Sequence, residues 1–331
     1  MTIRDVAAHA GVSRSTVSYA LTQPGRLSAD TLKRVTASLQ DLGYIGNAAA
    51  RQLRVGHSQA IGLIVSNAAN PIYAELAEGA DQEAALHGRV ILLANSRESP
   101  QREKDYIAFF ESQQVSGILI APVDEVPDEL IELGRRGTPF VLIGTPSRPD
   151  DYRSLSGDNT LGGHLAASHL IAQGRRKLLY VGGHHLHAVE RSRGAQAAVA
   201  EAGNTTLEVI RVAKQTAAEG EAVARALLAR PRTGLPDGIF CGNDLLALGL
   251  MHALLAGGID VPTDVSLVGY DDIAFADFAV VPLTTIRHPE AELGAGAVRL
   301  LMGTLPDDQI ADAEASFQPR LVVRKTSLTT A

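Results

Sequence analysis

A cluster of short polar and cationic side chains near the amino terminus has the composition and spacing of a DNA-reading helix. The cluster consists of Arg14, Ser15, Thr16, Ser18 and Tyr19. Arginine can donate two hydrogen bonds to guanine, and short hydroxyl side chains can approach base edges and phosphates closely. We therefore predict that the helix presents its outer faces to DNA.

The flanking residues predict the elements that must hold this cluster in place. Within residues 3–21, small and branched apolar residues recur at helical spacing, which predicts two short helices. Gly11 supplies the freedom that a tight turn between them needs. Ser13 is a natural N-cap of the second helix. A third helix is predicted from about Ser28 to Leu42.

Charge distinguishes a DNA-binding unit from a helical domain of another kind. Residues 1–58 contain seven Lys and Arg against three acids, a net charge of +4. The whole chain has a net charge of −7, so residues 59–331 carry −11. The field that attracts phosphates is therefore confined to one end of the chain, which favours a helix-turn-helix DNA-binding unit.

The overall composition excludes several classes of protein. A chain of 331 residues exceeds one ordinary domain. One Cys does not support a disulfide scaffold. No apolar run reaches the ~18–20 residues of a membrane span, and the first residues lack a signal segment, so we expect a cytoplasmic protein. Phosphate-loop, nucleophile-elbow and metalloprotease motifs are absent, which argues against an enzyme. Cys241 is expected to be a core residue.

From residue 60 onwards, apolar strands alternate with helices. This pattern predicts parallel sheets covered on both faces, with ligands beyond the carboxyl ends of the strands. The chain is long enough for two such lobes. The predicted strands are 61–65, 90–93, 115–120, 140–143, 178–181, 238–241 and 265–269. The predicted helices are 72–87, 102–113, 128–136, 160–173, 191–202, 217–229 and 244–256.

Six motifs, in order along nearly the whole chain, resemble the lactose/galactose repressor (LacI/GalR) family of bacterial transcription regulators. They are Asp5-Val6-Ala7 with Gly11-Val12-Ser13, Ala50-Arg51-Gln52-Leu53, Asn70-Pro71-Ile72-Tyr73, Gly242-Asn243-Asp244-Leu245, Val268-Gly269-Tyr270-Asp271-Asp272, and Pro282-Leu283-Thr284-Thr285-Ile286. The resemblance implies an N-terminal all-α helix-turn-helix headpiece, a hinge helix, and an α/β two-lobed core similar to the periplasmic sugar-binding proteins.

The resemblance also implies domain boundaries. The headpiece would span residues 1–46, the hinge helix and linker 47–58, and the effector-binding and dimerisation core 59–331. Three crossovers between the lobes are expected near residues 158–159, 287–288 and 321–324. The N-lobe would then comprise about 59–158 and 288–320, and the C-lobe about 159–287 and 321–331.

The resemblance assigns DNA contacts to the headpiece and hinge. Arg14, Ser15 and Tyr19 would discriminate operators, while Thr16 and Ser18 would contact phosphates. Leu53 from two subunits would wedge into the central base step and kink the duplex; the alternative is a small core contact at a linker. The remaining expected contacts are Thr2, Ser13, Asn47, Ala50 and Arg51.

The resemblance places an effector between the lobes. The residues carried over to that site are Tyr73, Asp158, Arg191, Asn243 and Asp271. Carboxylates accept hydrogen bonds from vicinal hydroxyl groups, and arginine donates to ring or anionic oxygens. Such a set suits a sugar or a nucleoside-like ligand, although each residue could instead serve as a loop or cap residue.

Two departures from the family pattern limit this assignment. The loop at 184–190 is histidine-rich and short; a metal site is conceivable there, but the ligand spacing is not the usual one and an ordinary polar loop is the alternative. Lys214 or Gln215 stands where several relatives place a stacking aromatic residue. This replacement leaves open an anionic or strongly polar effector.

The sequence as a whole predicts a homodimeric transcriptional repressor whose operator affinity is controlled by a small molecule, without a cofactor or metal. Each subunit would read half of a near-palindromic operator. The end of the chain has no heptad repeat, so a dimer is expected and not a tetramer. Induction and co-repression are not distinguished. The alternative functions are a sugar-modifying enzyme, a transport receptor, and a regulator that senses a phosphoprotein.

Overall fold

The computed structural model describes residues 1–44, 58–123, 126–145, 152–306, 309–310 and 317–327. The chain divides into two compact units, Met1–Ser58 and Gln59–Ala331. Among the described residues, no helix is long and apolar enough to cross a membrane.

The first unit consists of helices α1 (Ile3–Ala10), α2 (Arg14–Thr22) and α3 (Ala29–Asp41), with a 3₁₀ turn at Pro24–Arg26. Gly11 ends α1 in the left-handed region at φ 63°. The Ser13 hydroxyl accepts a hydrogen bond from the Thr16 backbone N–H at 3.1 Å, so Ser13 caps α2. Ser28 caps α3 in the same way. The predicted helices, turn and caps are confirmed.

A small apolar core fixes α2 against the other two helices. Val6, Val17 and Val35 are fully buried and contribute one residue from each helix. Leu21, Leu39 and other partly buried residues surround them. Because one side of α2 is committed to this core, its polar residues are left at the surface.

The second unit begins with a five-stranded parallel sheet. Its strands run in the order β2-β1-β3-β4-β5. They are β1 (Ala60–Val65), β2 (Val90–Asn95), β3 (Gly117–Ile120), β4 (Phe140–Ile143) and β5 (Arg153–Leu155). Helices α4 (Ile72–Leu86), α5 (Pro100–Ser112) and α6 (Asp128–Arg135) alternate with the strands. Continuous burial of β1 and β3 explains why these strands are apolar without alternation.

A second parallel sheet has four strands in the order β7-β6-β8-β9. The strands are β6 (Lys177–Gly182), β7 (Thr206–Arg211), β8 (Gly238–Cys241) and β9 (Ser266–Val268). The accompanying helices are α7 (Asn159–Ala172), α8 (Leu186–Ala202), α9 (Ala217–Leu228), α10 (Asp244–Ala256) and the short α11 (Ala274–Asp277).

The last elements connect the two sheets. Strands β10 (Thr285–Arg287) and β11 (Arg320–Val322) form an antiparallel pair. Between them, helix α12 (Glu290–Leu301) returns to the first sheet, where it packs against α4 and against β3, β4 and β5. We call the first sheet with its helices and α12 the first lobe, and the second sheet with α7 to α11 the second lobe.

One local prediction is wrong. Helix α8 begins at Leu186, so residues 186–190 of the histidine-rich segment are helical and do not form a loop. The helix start has no sequence signal, because its N-cap, His185, makes no capping hydrogen bond through its side chain. Arg191 therefore lies one and a half turns inside a helix, where its position is rigidly set.

Candidate effector cavity and nucleic-acid interface

A cavity of about 110 Å³ lies between the two lobes. Its lining comes from segments that follow the strands: Ser66 follows β1, Gly144 follows β4, and Asn243 and Asp271 follow β8 and β9. This is the edge at which ligands bind in parallel α/β sheets. Four of the five residues predicted to bind an effector line this cavity. They are Tyr73, Arg191, Asn243 and Asp271.

Arg191 is the polar centre of the cavity. Its Nε donates to Asn159 Oδ1 at 2.9 Å, and its Nη1 donates to the Gly242 carbonyl oxygen at 2.5 Å. The guanidinium carbon lies 3.5 Å from the centroid of the Tyr270 ring. Burial disfavours the charge, but Tyr270 and Asp271 outweigh it and raise the pKa of Arg191. Arg191 is therefore a fixed, permanently charged donor.

Asp271 joins the two lobes at the cavity wall. Its Oδ1 lies 3.6 Å from Arg191 Nη1, and its Oδ2 accepts from Asn70 Nδ2 of the first lobe at 3.3 Å. Burial raises the pKa of Asp271 to about 6, although Arg191 and Asn70 oppose that shift. The residue has a φ of 108°, an unfavourable backbone conformation for a non-glycine residue. Such strain is concentrated at functional sites.

Tyr73 and Asn243 differ in how much hydrogen-bonding capacity they offer a ligand. The Tyr73 hydroxyl accepts from Ser66 Oγ at 2.5 Å, and burial raises the pKa of Tyr73 to about 12, so its own proton can be donated. Asn243 is the N-cap of α10: its Oδ1 accepts from the Leu246 N–H, and its Nδ2 donates to the Gln215 carbonyl oxygen. Asn243 thus already has a structural role.

Asp158 does not line this cavity. It is exposed and caps α7, where its Oδ1 accepts from the Leu161 N–H at 2.8 Å. It borders a neighbouring cleft of about 260 Å³ that also contains Thr160 and Glu190. Its role as an effector ligand stays a prediction. The next residue, Asn159, is buried and reaches the cavity in its place.

Several lining residues were not selected from the sequence. They include Ser66, Asn70, Glu98, Asn159, His187, His288 and Glu290. His288 is 6% exposed, and its Nδ1 lies 3.0 Å from Glu290 Oε1. His187 stands out in the sequence only as part of the histidine cluster, and Asn70 only as part of a family motif to which no binding role was assigned. The others have no recognisable local signal.

The charges around the cavity do not favour the anionic effector that the sequence left open. Gln215 lines the cavity, whereas Lys214 is exposed and does not. Among the lining residues that the structure describes, Arg191 is the one Lys or Arg side chain. The described part of the chain also contains no group of three side chains suited to a metal ion.

The outer face of α2 carries the predicted base-reading side chains. Arg14 and Ser15 are exposed, and Tyr19 is 41% exposed with the Arg26 guanidinium 5.8 Å from its ring centroid. Thr16 is half-buried, and its hydroxyl is 2.8 Å from that of the capping Ser13.

The other predicted DNA contacts vary in how far the structure describes them. Ser18 is half-buried on α2. The Thr2 hydroxyl donates to Asp5 at the start of α1. The predicted hinge contacts lie outside the described residues; they are Asn47, Ala50, Arg51 and Leu53.

Comparison with known proteins identifies both units. Residues 2–47 match the family described as bacterial regulatory proteins, lacI family, and residues 167–327 match a periplasmic binding protein-like domain. The HTH-type transcriptional repressor PurR of Photobacterium profundum is 31% identical over 330 residues, which cover 98% of each chain. The chain belongs to the LacI family. PurR of Vibrio parahaemolyticus is also 31% identical, over 98% of each chain.

Solved structures of this LacI-family chain's relatives agree in fold. The lac repressor dimer bound to operator and the anti-inducer ONPF has 27% identity and a TM-score of 0.82, with 99% of each chain covered. The complex of the transcriptional regulator CelR with cellobiose has 28% identity and a TM-score of 0.69, and covers 99% of this chain and 100% of its own. The two-lobed core with a helix-turn-helix unit is therefore the family fold.

Proposed function

We propose that this LacI-family protein is a transcriptional repressor whose affinity for a near-palindromic DNA operator is controlled by a small molecule bound between the two lobes. The observation that carries the proposal is the presence, in one chain, of a helix α2 with exposed polar and cationic side chains and a polar interlobe cavity centred on Arg191 and Asp271. The repressor PurR of Photobacterium profundum aligns with 98% of this chain. Such a regulator works where its operator is, in the cytoplasm.

The same observations favour regulation over catalysis. The relatives are named as repressors. Burial raises the pKa of the Cys241 thiol far above its usual range, so this thiol is not a poised nucleophile. We therefore assign the cavity a binding role.

We also propose the domain boundaries given above, with a headpiece at 1–46, a hinge at 47–58 and a core at 59–331. The return of α12 to the first sheet supports the assignment of 288–320 to the first lobe. The pairing of β10 with β11 supports two neighbouring crossovers near 287–288 and 321–324.

Asp271 and Asp272 offer a physical link between the cavity and these crossovers. Asp271 faces the cavity. Asp272 Oδ2 accepts from Arg287 Nε of β10 at 2.5 Å, and its Oδ1 lies 2.7 Å from Arg324 Nη1, just beyond β11. A ligand that moves the backbone at Asp271 must therefore also move the carboxylate that holds both crossover strands.

The cavity best suits an uncharged polyhydroxylic effector, a sugar or a nucleoside. Asp271, Glu98 and Glu290 provide acceptors, while Arg191 and Tyr73 provide donors. One related regulator was solved with cellobiose and another, from Enterococcus faecium, with ribose. A thermal-shift screen of sugars and nucleosides tests this class: a hit is expected among them, and stabilisation by anionic compounds alone would contradict it.

Effector binding should weaken on acidification because of Asp271. Its raised pKa of about 6 means that the acceptor carboxylate is ionised above that pH and protonated below it. At pH 5 about one tenth of the molecules keep the carboxylate, so we expect about tenfold weaker effector binding than at pH 7.5. Isothermal titration across this range measures the effect. In Asp271→Asn the fall in effector affinity near pH 6 should disappear. An unchanged fall would show that another group is responsible for it.

Arg14→Ala should relax operator preference. A bidentate arginine–guanine contact contributes about 1–3 kcal/mol, which corresponds to about a 5–150-fold loss at the preferred site. Lys33→Ala is the matched control, since Lys33 is an exposed cation on α3 of the same unit. Its loss should weaken binding to all sequences alike. Binding-site selection distinguishes the two variants, and an unchanged base preference in Arg14→Ala would refute the contact.

The core also has apolar surfaces that suit a second copy of the chain. A groove of about 630 Å³ between α10 and the α11 region has Leu248, Met251 and Leu255 on one wall. Phe275, Phe278 and Val280 border it and are 59%, 86% and 87% exposed. Contiguous apolar surface of this kind marks an interface. The lac repressor relative, aligned over 99% of this chain, is a dimer. We therefore assign this groove to the homodimer interface.

A further inference from the structure

The orientation of the Asn159 side chain is determined by the partners that it meets. Arg191 Nε lies 2.9 Å from Asn159 Oδ1. A guanidinium group can only donate, so the atom facing it must be the amide oxygen. The amide nitrogen then faces the other way, 3.2 Å from His187 Nδ1 and 3.3 Å from Glu190 Oε2. Its two N–H groups can serve both of these acceptors.

This orientation determines the proton position on His187. An amide nitrogen can only donate, so His187 Nδ1 must accept and cannot carry a proton. A neutral imidazole with a bare Nδ1 carries its proton on Nε2. Within the part of the chain that the structure describes, Nδ1 is the one ring nitrogen of His187 with an assigned hydrogen bond, and the side chain lines the interlobe cavity.

The surroundings keep this imidazole uncharged. Burial lowers the pKa of His187 to about 3, and the nearby Arg191, His288 and His185 act in the same direction. Glu190 is the nearby acid on the same helix, but its Oε2 accepts from the Asn159 amide nitrogen. The neighbouring residue from the first lobe is Gly144, which has no charged side chain. It lies so close that a Cβ built on it would be 2.6 Å from His187 Cε1. The ring therefore sits in close contact with the opposite lobe.

We propose that His187 is a specificity-determining residue of the effector cavity, held by the Arg191–Asn159 pair as an Nε2–H donor. The atom that the effector presents to it is then an oxygen acceptor, such as a ring, hydroxyl or carbonyl oxygen, and not a donor-only group such as an ammonium. Asn159 is the positioning residue that acts through His187. The proposal rests on the effector-binding function proposed above and extends it to a donor that does not switch with physiological pH.

The proton position can be tested without knowing the effector. Long-range ¹H–¹⁵N spectra of full-length, ¹⁵N-histidine-labelled protein distinguish the two neutral tautomers, and His187→Gln identifies the signals by their loss. We expect an Nε2–H pattern that stays unchanged from pH 8 to pH 5. His164, partly exposed and 2.9 Å from Glu201 Oε2, is the matched control, assigned through His164→Gln. An Nδ1–H pattern for His187, or protonation of its ring within this range, would overturn the proposal.

A second variant tests the role of Asn159. In Asn159→Asp both side-chain oxygens accept, so His187 should place a proton on Nδ1 and its pKa should rise. The signals should therefore change to the other tautomer or to the doubly protonated ring. Retention of the wild-type pattern would show that Asn159 does not set the tautomer. Should this variant not fold, the wild-type spectrum and its pH series still decide the proton position.

Effector binding tests the donor itself. Ribose, cellobiose and adenosine are the probes, titrated into full-length protein by calorimetry. For any probe that binds, His187→Ala should lower affinity about tenfold, and His187→Gln, which keeps an N–H donor, should restore part of it. Equal effector affinity of wild type and His187→Ala would overturn the proposed donor role of His187. It would leave the proposed effector-binding function intact. Binding of none of the three would instead count against the proposed effector class.

Discussion

Arg191→Ala should abolish the response to the effector at ordinary concentrations. The variant removes the cation at the centre of the cavity and leaves Asp271, which is 5% exposed, without its charged partner. Loss of a hydrogen bond from a charged donor to the ligand costs about 1.5–3 kcal/mol, and the buried Asp271 carboxylate left unpaired adds to that loss. We therefore expect effector affinity to fall by at least about 30-fold, as measured by calorimetry.

Arg193→Ala provides the matched control for this loss. Arg193 lies two residues further along α8 and is exposed, so its removal changes the net charge equally without opening the cavity. Effector affinity should stay within about twofold of wild type, since exposed charges contribute little. Equal losses in the two variants would show that Arg191 acts through the net charge of the chain and not through the cavity.

Val280→Asp should convert the dimer to monomers. Val280 is 87% exposed in the isolated chain and borders the apolar groove assigned to the interface. Two-fold symmetry places two new carboxylates in one interface, and burial of each unpaired charge costs several kcal/mol. We expect dimer dissociation to increase by at least about 1,000-fold in sedimentation experiments. Binding to a palindromic operator should weaken in parallel.

Phe109→Asp is the control for this second prediction. Phe109 is also a large exposed apolar residue, at 52%, but it lies on α5 away from the groove. This variant should remain a dimer. If Val280→Asp also sediments as a dimer at low concentration, the groove is not the interface, and the exposed edge strand β2 becomes the surface to test.

The elements most accessible from the sequence are those with strong local signals. Gly11 and the capping serines define the headpiece helices, and continuously buried strands such as β1 and β8 show as unbroken apolar runs. Strand β7 is not among the predicted strands because it is an edge strand with partly exposed residues, so it lacks the unbroken apolar run by which the buried strands are recognised. Strands β10 and β11 have three residues each, which is too short for a periodicity.

The cavity could be predicted only in part, for a physical reason. Asp271 belongs to a motif with recognisable neighbours, and Arg191 is carried over from the family resemblance. Asn159 is the first residue of a helix, and nothing local distinguishes it from Asp158, the cap residue before it. Only the packing of α7 against α8 turns Asn159 towards Arg191 and His187. Interactions between residues about 30 positions apart are set by tertiary structure, and a local pattern does not contain them.

Occupancy of the interlobe cavity should change the affinity of the headpiece for DNA. The most direct measurement is the affinity of full-length protein for DNA from its own promoter region at low salt, with and without the sugar or nucleoside that raises its melting temperature. We expect a specific complex whose affinity changes about 5–150-fold with the ligand, a coupling of about 1–3 kcal/mol. Failure to retard any promoter fragment, or an affinity that is the same with and without bound ligand, would contradict this claim.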